Sequence, residues 1–163
     1  MVKILDIGEA APAFSLTADD GRAVSLESLR GKPAVLYFYP KDDTTSCTAE
    51  AVAFDALRDG FAAAGAALVG ISPDGVASHL KFKRKHGLSL TLAADETKAA
   101  IEAYGVWQEK HMWGRTYMGV ERSTFLIDPA GRIARIWRKV RVRGHADEVL
   151  AAAQALAEAF AKG

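Results

Sequence analysis

The feature that most constrains the fold of this chain is a continuous apolar run at residues 34–39, between Pro33 and Pro40. A strand with one face in water alternates apolar and polar side chains, and this run does not alternate. It therefore predicts a strand that is buried on both faces, as in the centre of a parallel sheet covered by helices.

The segments on either side of this run alternate between strand and helix patterns. A turn at Asp20 and Gly21 predicts an N-terminal β-hairpin between segments 14–16 and 24–26. Apolar spacings and turn residues predict the other elements: helices at 48–64, 96–104 and 147–161, a basic helix between the turn at 72–75 and residue 86, strands at 66–72 and 90–93, and a hairpin joining 122–128 to 132–140. Alternating strands and helices imply a mainly parallel sheet, which the closing hairpin makes mixed.

We therefore predict an α/β fold. The chain has 163 residues, and a typical domain has ~100–200, so we expect a single domain over residues 1–163.

Charge and hydropathy exclude several function classes. The formal net charge is +1, so no overall field favours nucleic acid or an anionic membrane. The basic patches at 81–86 and 132–143 are interpreted as solvated faces. The longest uncharged stretch, 61–73, is shorter than the roughly 20 residues that a membrane span needs. Because Asp6 precedes any apolar run, we expect no secretory signal.

The candidate nucleophile is Cys47, in a polar loop before the predicted helix at 48–64. The first turn of a helix has unpaired backbone N–H groups and the positive end of the dipole, which favour a thiolate. The alternative is a small buried apolar residue, the commonest role of a lone cysteine. Its neighbours Thr44, Thr45, Ser46 and Thr48 argue against that alternative, but position alone leaves both open.

Other candidate groups give weaker signals. The four histidines, His79, His86, His111 and His145, are not spaced to hold a metal together with Cys47, so we expect no metal. Trp107, Trp113 and Tyr117 are interpreted either as core and loop packing or as an apolar rim near the active site.

The spacing around Cys47 is more specific than its position. Pro40, Thr44 and Cys47 form the pattern Pro-x-x-x-Thr-x-x-Cys directly after the apolar run, which resembles the peroxidatic motif of the peroxiredoxins. The string at 37–42 is similar to the Q-type branch, also called bacterioferritin comigratory protein. Three further segments resemble that branch: 70–72, 104–107 and 122–128. The resemblance implies a thioredoxin-like fold with an N-terminal β-hairpin extension.

The resemblance also implies a role for each matching residue. Cys47 would attack the peroxide O–O bond and become a sulfenic acid. Thr44 would hydrogen-bond the peroxide oxygen, and Arg122 would direct its guanidinium at both the thiolate and the peroxide. Pro40 would shield the sulfur from water. These roles imply a peroxidase for hydrogen peroxide and organic hydroperoxides that uses no cofactor.

The chain departs from the pattern of the branch that it resembles, at the positions where a second cysteine would resolve the sulfenic acid. The expected positions, five residues after Cys47 and in the later helix, hold Val52 and Ile101. With one cysteine no internal disulfide can form, so an external thiol must reduce the sulfenic acid, either thioredoxin, glutaredoxin or glutathione. We expect a cytoplasmic protein, because a lone cysteine fits a reducing compartment, and the resemblance favours a monomer.

Three other functions remain open from the sequence. A peroxide sensor or redox adaptor would use the same cysteine with slow turnover. A thiol transferase of the one-cysteine glutaredoxin type would not need Thr44 three residues before Cys47. A holdase-like chaperone would form large assemblies.

Overall fold

The structure, a computed structural model, describes residues 4–162. Within that range the strands are β1 (Ser15–Ala18), β2 (Ala23–Ser25), β3 (Ala34–Phe38), β4 (Ala67–Ser72), β5 (Thr91–Ala94), β6 (Trp107–Met112), β7 (Arg115–Val120), β8 (Ser123–Ile127) and β9 (Ile133–Trp137). The helices are α1 (Leu26–Leu29), α2 (Thr45–Ala56), α3 (Arg58–Ala63), α4 (Val76–His86), α5 (Ala99–Ala103) and α6 (His145–Lys162). None of the helices described in residues 4–162 combines the length and the apolar character that a membrane span requires.

Seven of these strands form one mixed sheet in the order β2-β1-β5-β4-β3-β8-β9. The strands β3, β4 and β5 are parallel, and the flanking pairs are antiparallel. The predicted α/β fold is confirmed, with a thioredoxin-like arrangement. The predicted N-terminal hairpin is also confirmed, as β1 pairs with β2 and joins the sheet at β5.

The central strand β3 is buried along its whole length, as its unbroken apolar run predicts. Because strand side chains alternate, Leu36 and Phe38 face one core and Val35 and Tyr37 face the other. Helices α1 and α5 cover the first core, and α2, α4 and α6 cover the second. Cys47 packs in the second core.

The helix predicted at 48–64 is two helices in the structure. Helix α2 ends at Ala56 and α3 begins at Arg58, with Leu57 between them at φ −100° and ψ 7°, outside the helical region. Helix α3 lies very close to α6. A Cβ atom added at Gly60 would lie only 2.9 Å from Leu150 Cδ2. The absence of a side chain at Gly60 therefore permits this close approach of α3 to α6.

The structure contains a hairpin, formed by β6 and β7, that the sequence pattern does not predict. Its aromatic residues are the ones interpreted above as packing or rim residues. The two strands pair from Trp107↔Val120 to Met112↔Arg115. Its turn places Trp113 at φ 56° and Gly114 at φ 72°, the positive values of a two-residue hairpin turn. The Trp113 side chain is 92% exposed, so it is neither core nor loop packing.

Candidate active site

Cys47 lies in the first turn of α2, as the sequence predicts. Helix α2 begins after the N-cap residue Thr44, and the Thr48 N–H donates to the Thr44 carbonyl at 2.8 Å. Cys47 is therefore the third residue of the helix, where its backbone N–H has no helical acceptor. The side chain is only 2% exposed. Cys47 is therefore buried, as the alternative of a small apolar core residue requires, and it also lies at the electropositive end of a helix.

Arg122 lies close to Cys47 because strands β3 and β8 are neighbours in the sheet. The register of β3 and β8 pairs Phe38 with Ser123, so the residue before β8 lies beside the loop that follows β3. Arg122 Nη2 donates to Cys47 Sγ at 3.2 Å. Burial alone would lower the pKa of the guanidinium, but the charges of Glu50 and Cys47 outweigh it and raise that pKa. Arg122 therefore stays charged beside the sulfur.

Glu50 is a site residue that the sequence analysis missed. It follows Cys47 by three positions, so both side chains lie on one face of α2. Arg122 Nη1 donates to Glu50 Oε1 at 2.6 Å, while Oε2 is buried with no hydrogen-bond partner among the described residues. Burial raises the pKa of Glu50 to about 7, although Arg122 acts in the opposite direction. The carboxyl therefore titrates near neutral pH.

Tyr37 completes the buried group around Cys47. Its hydroxyl is buried without a hydrogen-bond partner in the described part of the chain, and its ring stacks on Phe54 at a centroid distance of 4.6 Å. Burial raises the pKa of Tyr37 well above its ordinary value, and the charges of Glu50 and Cys47 raise it further. The hydroxyl therefore stays protonated as a donor.

Thr44 and Pro40 flank the cysteine without bonding to it. The Thr44 hydroxyl donates to the Lys41 carbonyl at 3.0 Å and makes no cap to α2. Because that hydrogen bond uses its proton, the Thr44 oxygen presents lone pairs to a neighbouring group. The Thr44 side chain is exposed, and Pro40 is half-buried at the end of the buried strand.

A buried network, which the local sequence pattern does not predict, anchors the loop that carries these residues. The Asp42 carboxylate accepts from the Tyr39 hydroxyl at 2.6 Å, lies 2.7 Å from His79 Nδ1 and accepts from the Ser78 hydroxyl at 2.8 Å. His79 is fully buried, and its Nε2 lies 3.0 Å from the Ala93 carbonyl. Burial raises the pKa of Asp42, but its hydrogen bonds to His79 and Tyr39 lower it more. The loop is therefore tied to α4 and β5.

Other basic groups surround the site. Burial lowers the pKa of Lys110 on β6, and the neighbouring charge of Arg122 lowers it further. His145, at the start of α6, lies 2.8 Å from the Thr124 hydroxyl. Burial lowers the pKa of His145 to about 4, so this imidazole is neutral at physiological pH.

The arrangement holds one sulfur between a permanent cation and a helix N-terminus. No group of three or more His, Cys, Asp or Glu side chains in residues 4–162 is placed to bind a metal ion. The position of the sulfur beside Arg122 and the start of α2 offers nucleophilic chemistry, with hydrogen-bond donors nearby for an oxygen leaving group.

Comparison with known proteins agrees with this chemistry. A sequence profile of the AhpC/TSA family matches residues 7–136. Peroxiredoxin Bcp of Bacillus subtilis is 47% identical over 146 residues, which cover 90% of this chain and 93% of that protein. A putative peroxiredoxin bcp of Coxiella burnetii is 45% identical over 146 residues, 90% of this chain and 97% of that protein.

Solved structures show the same fold. The bacterioferritin comigratory protein of Xanthomonas campestris, studied for its alkyl peroxide reduction activity, has a TM-score of 0.84 and 44% identity, covering 88% of this chain and 92% of that one. A cysteine-to-serine mutant of Xylella fastidiosa PrxQ has a TM-score of 0.88 and 36% identity, covering 94% of this chain and 98% of that one.

Mutants of two separate cysteines have been solved for Peroxiredoxin Q of Xanthomonas campestris, 36 positions apart. Counted from Cys47, the same spacing reaches Lys83 in α4, rather than the positions Val52 and Ile101 considered from the sequence. None of these three positions is a cysteine.

Proposed function

Because this chain belongs to the AhpC/TSA family, and within it to the Bcp or Q-type peroxiredoxins, it is a thiol peroxidase, and we propose that Cys47 is its peroxidatic residue. The observation that carries the proposal is the 3.2 Å hydrogen bond from Arg122 Nη2 to Cys47 Sγ. The guanidinium places a permanent positive charge next to the sulfur, where it opposes the negative charge of an attacking nucleophile.

In the first step the Cys47 thiolate attacks one peroxide oxygen and the O–O bond breaks. The sulfur becomes a sulfenic acid, and the second oxygen leaves as an alkoxide or hydroxide that takes up a proton. Arg122 stabilises the charge that moves onto the leaving oxygen, and the Thr44 oxygen accepts a hydrogen bond from the peroxide O–H and so orients it. Pro40 limits access of water to the sulfur.

In the second step an external thiol reduces the sulfenic acid. The chain has one cysteine, so the first product must be a mixed disulfide with the incoming thiol, which a second thiol then resolves. Thioredoxin, glutaredoxin and glutathione are the candidate reductants. A reducing compartment, the cytoplasm, supplies them, and we propose that the enzyme works there as a monomer on hydrogen peroxide and organic hydroperoxides.

The test is the second-order rate constant for oxidation of Cys47 by hydrogen peroxide. Stopped-flow tryptophan fluorescence follows the reaction, with Cys47→Ser as the blank and free cysteine as the reference. We expect a rate constant several orders of magnitude above that of free cysteine, because Arg122 and Thr44 act on the peroxide as well as on the thiol. A rate explained by thiolate fraction alone would contradict the proposed roles.

If Cys47 is oxidised rapidly but steady-state turnover is slow with all three reductants, the peroxide sensor is favoured instead. Steady-state turnover with each of the three reductants therefore follows the stopped-flow measurement.

A further inference from the structure

The loop between β9 and α6 lies at the same sheet edge as the candidate active site. Register pairs Thr124 of β8 with Trp137 of β9, so the end of β9 lies beside the start of β8. The Val140 N–H continues this pairing by donating to the Arg122 carbonyl at 3.0 Å. Residues 138–140 therefore run next to the arginine that contacts Cys47 Sγ.

This loop and the start of α6 line an open cavity of about 430 Å³. Its basic lining side chains are Arg138, Lys139, Arg141 and Arg143. One carboxylate, Glu148, also lines it, and the Trp137 indole forms part of the wall. Ligand sites of small molecules span ~300–1,000 Å³, so the volume suits a small molecule.

The positive charge of this cavity is largely uncompensated within residues 4–162. Lys139, Arg141 and Arg143 make no ion pair with a carboxylate there. Glu148 is held in place, because its Oε1 accepts from Trp137 Nε1 and from Arg135 Nη2, both at 3.2 Å. The N-terminus of α6, an 18-residue helix, adds a positive dipole end at the same place. Several cations around one fixed carboxylate are a recognition pattern for a molecule with the opposite charges.

We propose that this cavity binds the reducing thiol as a small molecule that carries two carboxylates and one ammonium group, the chemistry of glutathione. The proposal rests on the proposed function, since it assigns the reductant of the same cysteine. The loop cations would bind the carboxylates, and Glu148 would bind the ammonium. A small thiol is favoured over a protein reductant because the cavity is concave and Cys47 is only 2% exposed.

The chemistry balances with two such thiols. The first thiolate attacks the Cys47 sulfenic sulfur, the S–O bond breaks, and hydroxide leaves as water after taking a proton. A mixed disulfide between Cys47 and the small thiol remains. The second thiol attacks the sulfur of the bound small thiol, which releases the oxidised disulfide and returns Cys47 to its reduced state.

The experiment is double-mixing stopped flow, in which the protein is oxidised with one equivalent of hydrogen peroxide and then mixed with a thiol. Glutathione is the charged probe, glutathione diethyl ester is the same molecule with neutral carboxyl groups, and dithiothreitol is uncharged. The variant is R141E/R143E, and R84E is the matched control, because Arg84 is an exposed arginine on α4 outside the cavity.

We expect the ratio of the glutathione to the dithiothreitol rate constant to fall roughly tenfold or more in R141E/R143E and to stay unchanged in R84E. In the unmodified protein, glutathione should react faster than its diethyl ester. An unchanged ratio in R141E/R143E, or equal rates for glutathione and its ester, would overturn the assignment. Fast initial oxidation by peroxide in the same traces would then leave the proposed peroxidase function intact, whereas slow oxidation would contradict that function instead.

Discussion

At the residue scale, the site is a buried arrangement in which one guanidinium donates hydrogen bonds to two side chains. Arg122 donates to Cys47 Sγ through one nitrogen and to Glu50 through the other. The planar fork of arginine makes this double contact possible, and a lysine ammonium does not reproduce it. The proposed mechanism therefore depends on both the charge and the shape of this residue.

Replacing Arg122 with alanine is expected to lower the rate constant for peroxide oxidation by about 10²–10³-fold, because the cation proposed to stabilise the transition state is lost. Arg122→Lys should recover only part of this loss. Stopped-flow fluorescence on both variants, with far-UV circular dichroism to verify folding, checks the prediction. An alanine variant that folds and reacts at the unmodified rate would remove Arg122 from the mechanism.

Replacing Thr44 with valine should also lower the peroxide rate constant by about 10²–10³-fold, because the hydroxyl proposed to orient the peroxide is lost while the shape of the side chain is kept. Thr44→Ser retains the hydroxyl and is the matched control, expected near the unmodified rate. Equal rates in the valine and serine variants would show that the hydroxyl plays no part.

Glu50 gives a stability prediction with a definite sign. Its pKa is raised from 4.5 to about 7 by burial, so between these pH values the folded protein keeps a proton that the unfolded chain loses. The free energy of unfolding should therefore decrease as pH rises from about 4.5 to 7, by on the order of 3 kcal/mol. Urea denaturation of the unmodified protein and of Glu50→Gln at pH 5 and pH 7.5 measures this difference. An identical pH slope in both proteins would contradict the prediction.

At the element scale, the active-site loop is held by α4 rather than by its own sequence. His79 and Ser78 on α4 both contact the Asp42 carboxylate, and the Asp74 carboxylate accepts from the Asp42 backbone N–H at 2.7 Å. The loop conformation before Cys47 therefore depends on a helix that lies more than thirty residues later in the chain.

Replacing His79 with alanine should destabilise the protein by about 2–4 kcal/mol, because it leaves a cavity and removes a hydrogen-bond partner from buried Asp42. It should also slow peroxide oxidation, since the loop loses its anchor. His86→Ala is the matched control on the same helix, because His86 contacts the more exposed Asp43, and its effect should be much smaller. Equal urea midpoints for the two variants would show that the buried network does not anchor the loop.

Part of the site could be predicted from the sequence, and the rest depends on contacts between distant elements. The central strand and the position of Cys47 follow from local pattern, because an unbroken apolar run and a polar loop before a helix act within a few residues. Glu50 could have been found from its three-residue spacing to Cys47. Arg122, 75 positions after Cys47, was available only through the family resemblance, since no local rule links residues so far apart.

The β6–β7 hairpin and the burial of His79, which the sequence pattern does not predict, also have physical explanations. The turn of the β6–β7 hairpin lacks the Asn-Gly or Asp-Gly pair from which such turns are predicted. Trp113 occupies the first positive-φ position instead. His79 lies in a strongly basic helix, and its burial depends on the fit of α4 against β5 rather than on its neighbours in sequence.

At the scale of the whole molecule, a single cysteine determines what oxidation can produce. One equivalent of hydrogen peroxide should give an intact protein heavier by one oxygen atom, with no loss of two hydrogens, because the chain has no second cysteine for an internal disulfide. Intact-mass spectrometry without added thiol, with Cys47→Ser as the control, measures this product. A mass gain in the serine variant would locate the oxidation on another residue.

The shared guanidinium has a consequence for electroneutrality. With Cys47 as thiolate and Glu50 ionised, two anions share one cation, so the buried group carries one excess negative charge. Sulfenic acid formation converts the thiolate into a neutral group, and the remaining carboxylate and guanidinium then balance. Burial of an unbalanced charge is unfavourable, so when Glu50 is ionised the interior favours the oxidised product. The energy that makes the reduced site costly to bury then becomes part of the driving force for the oxidation step.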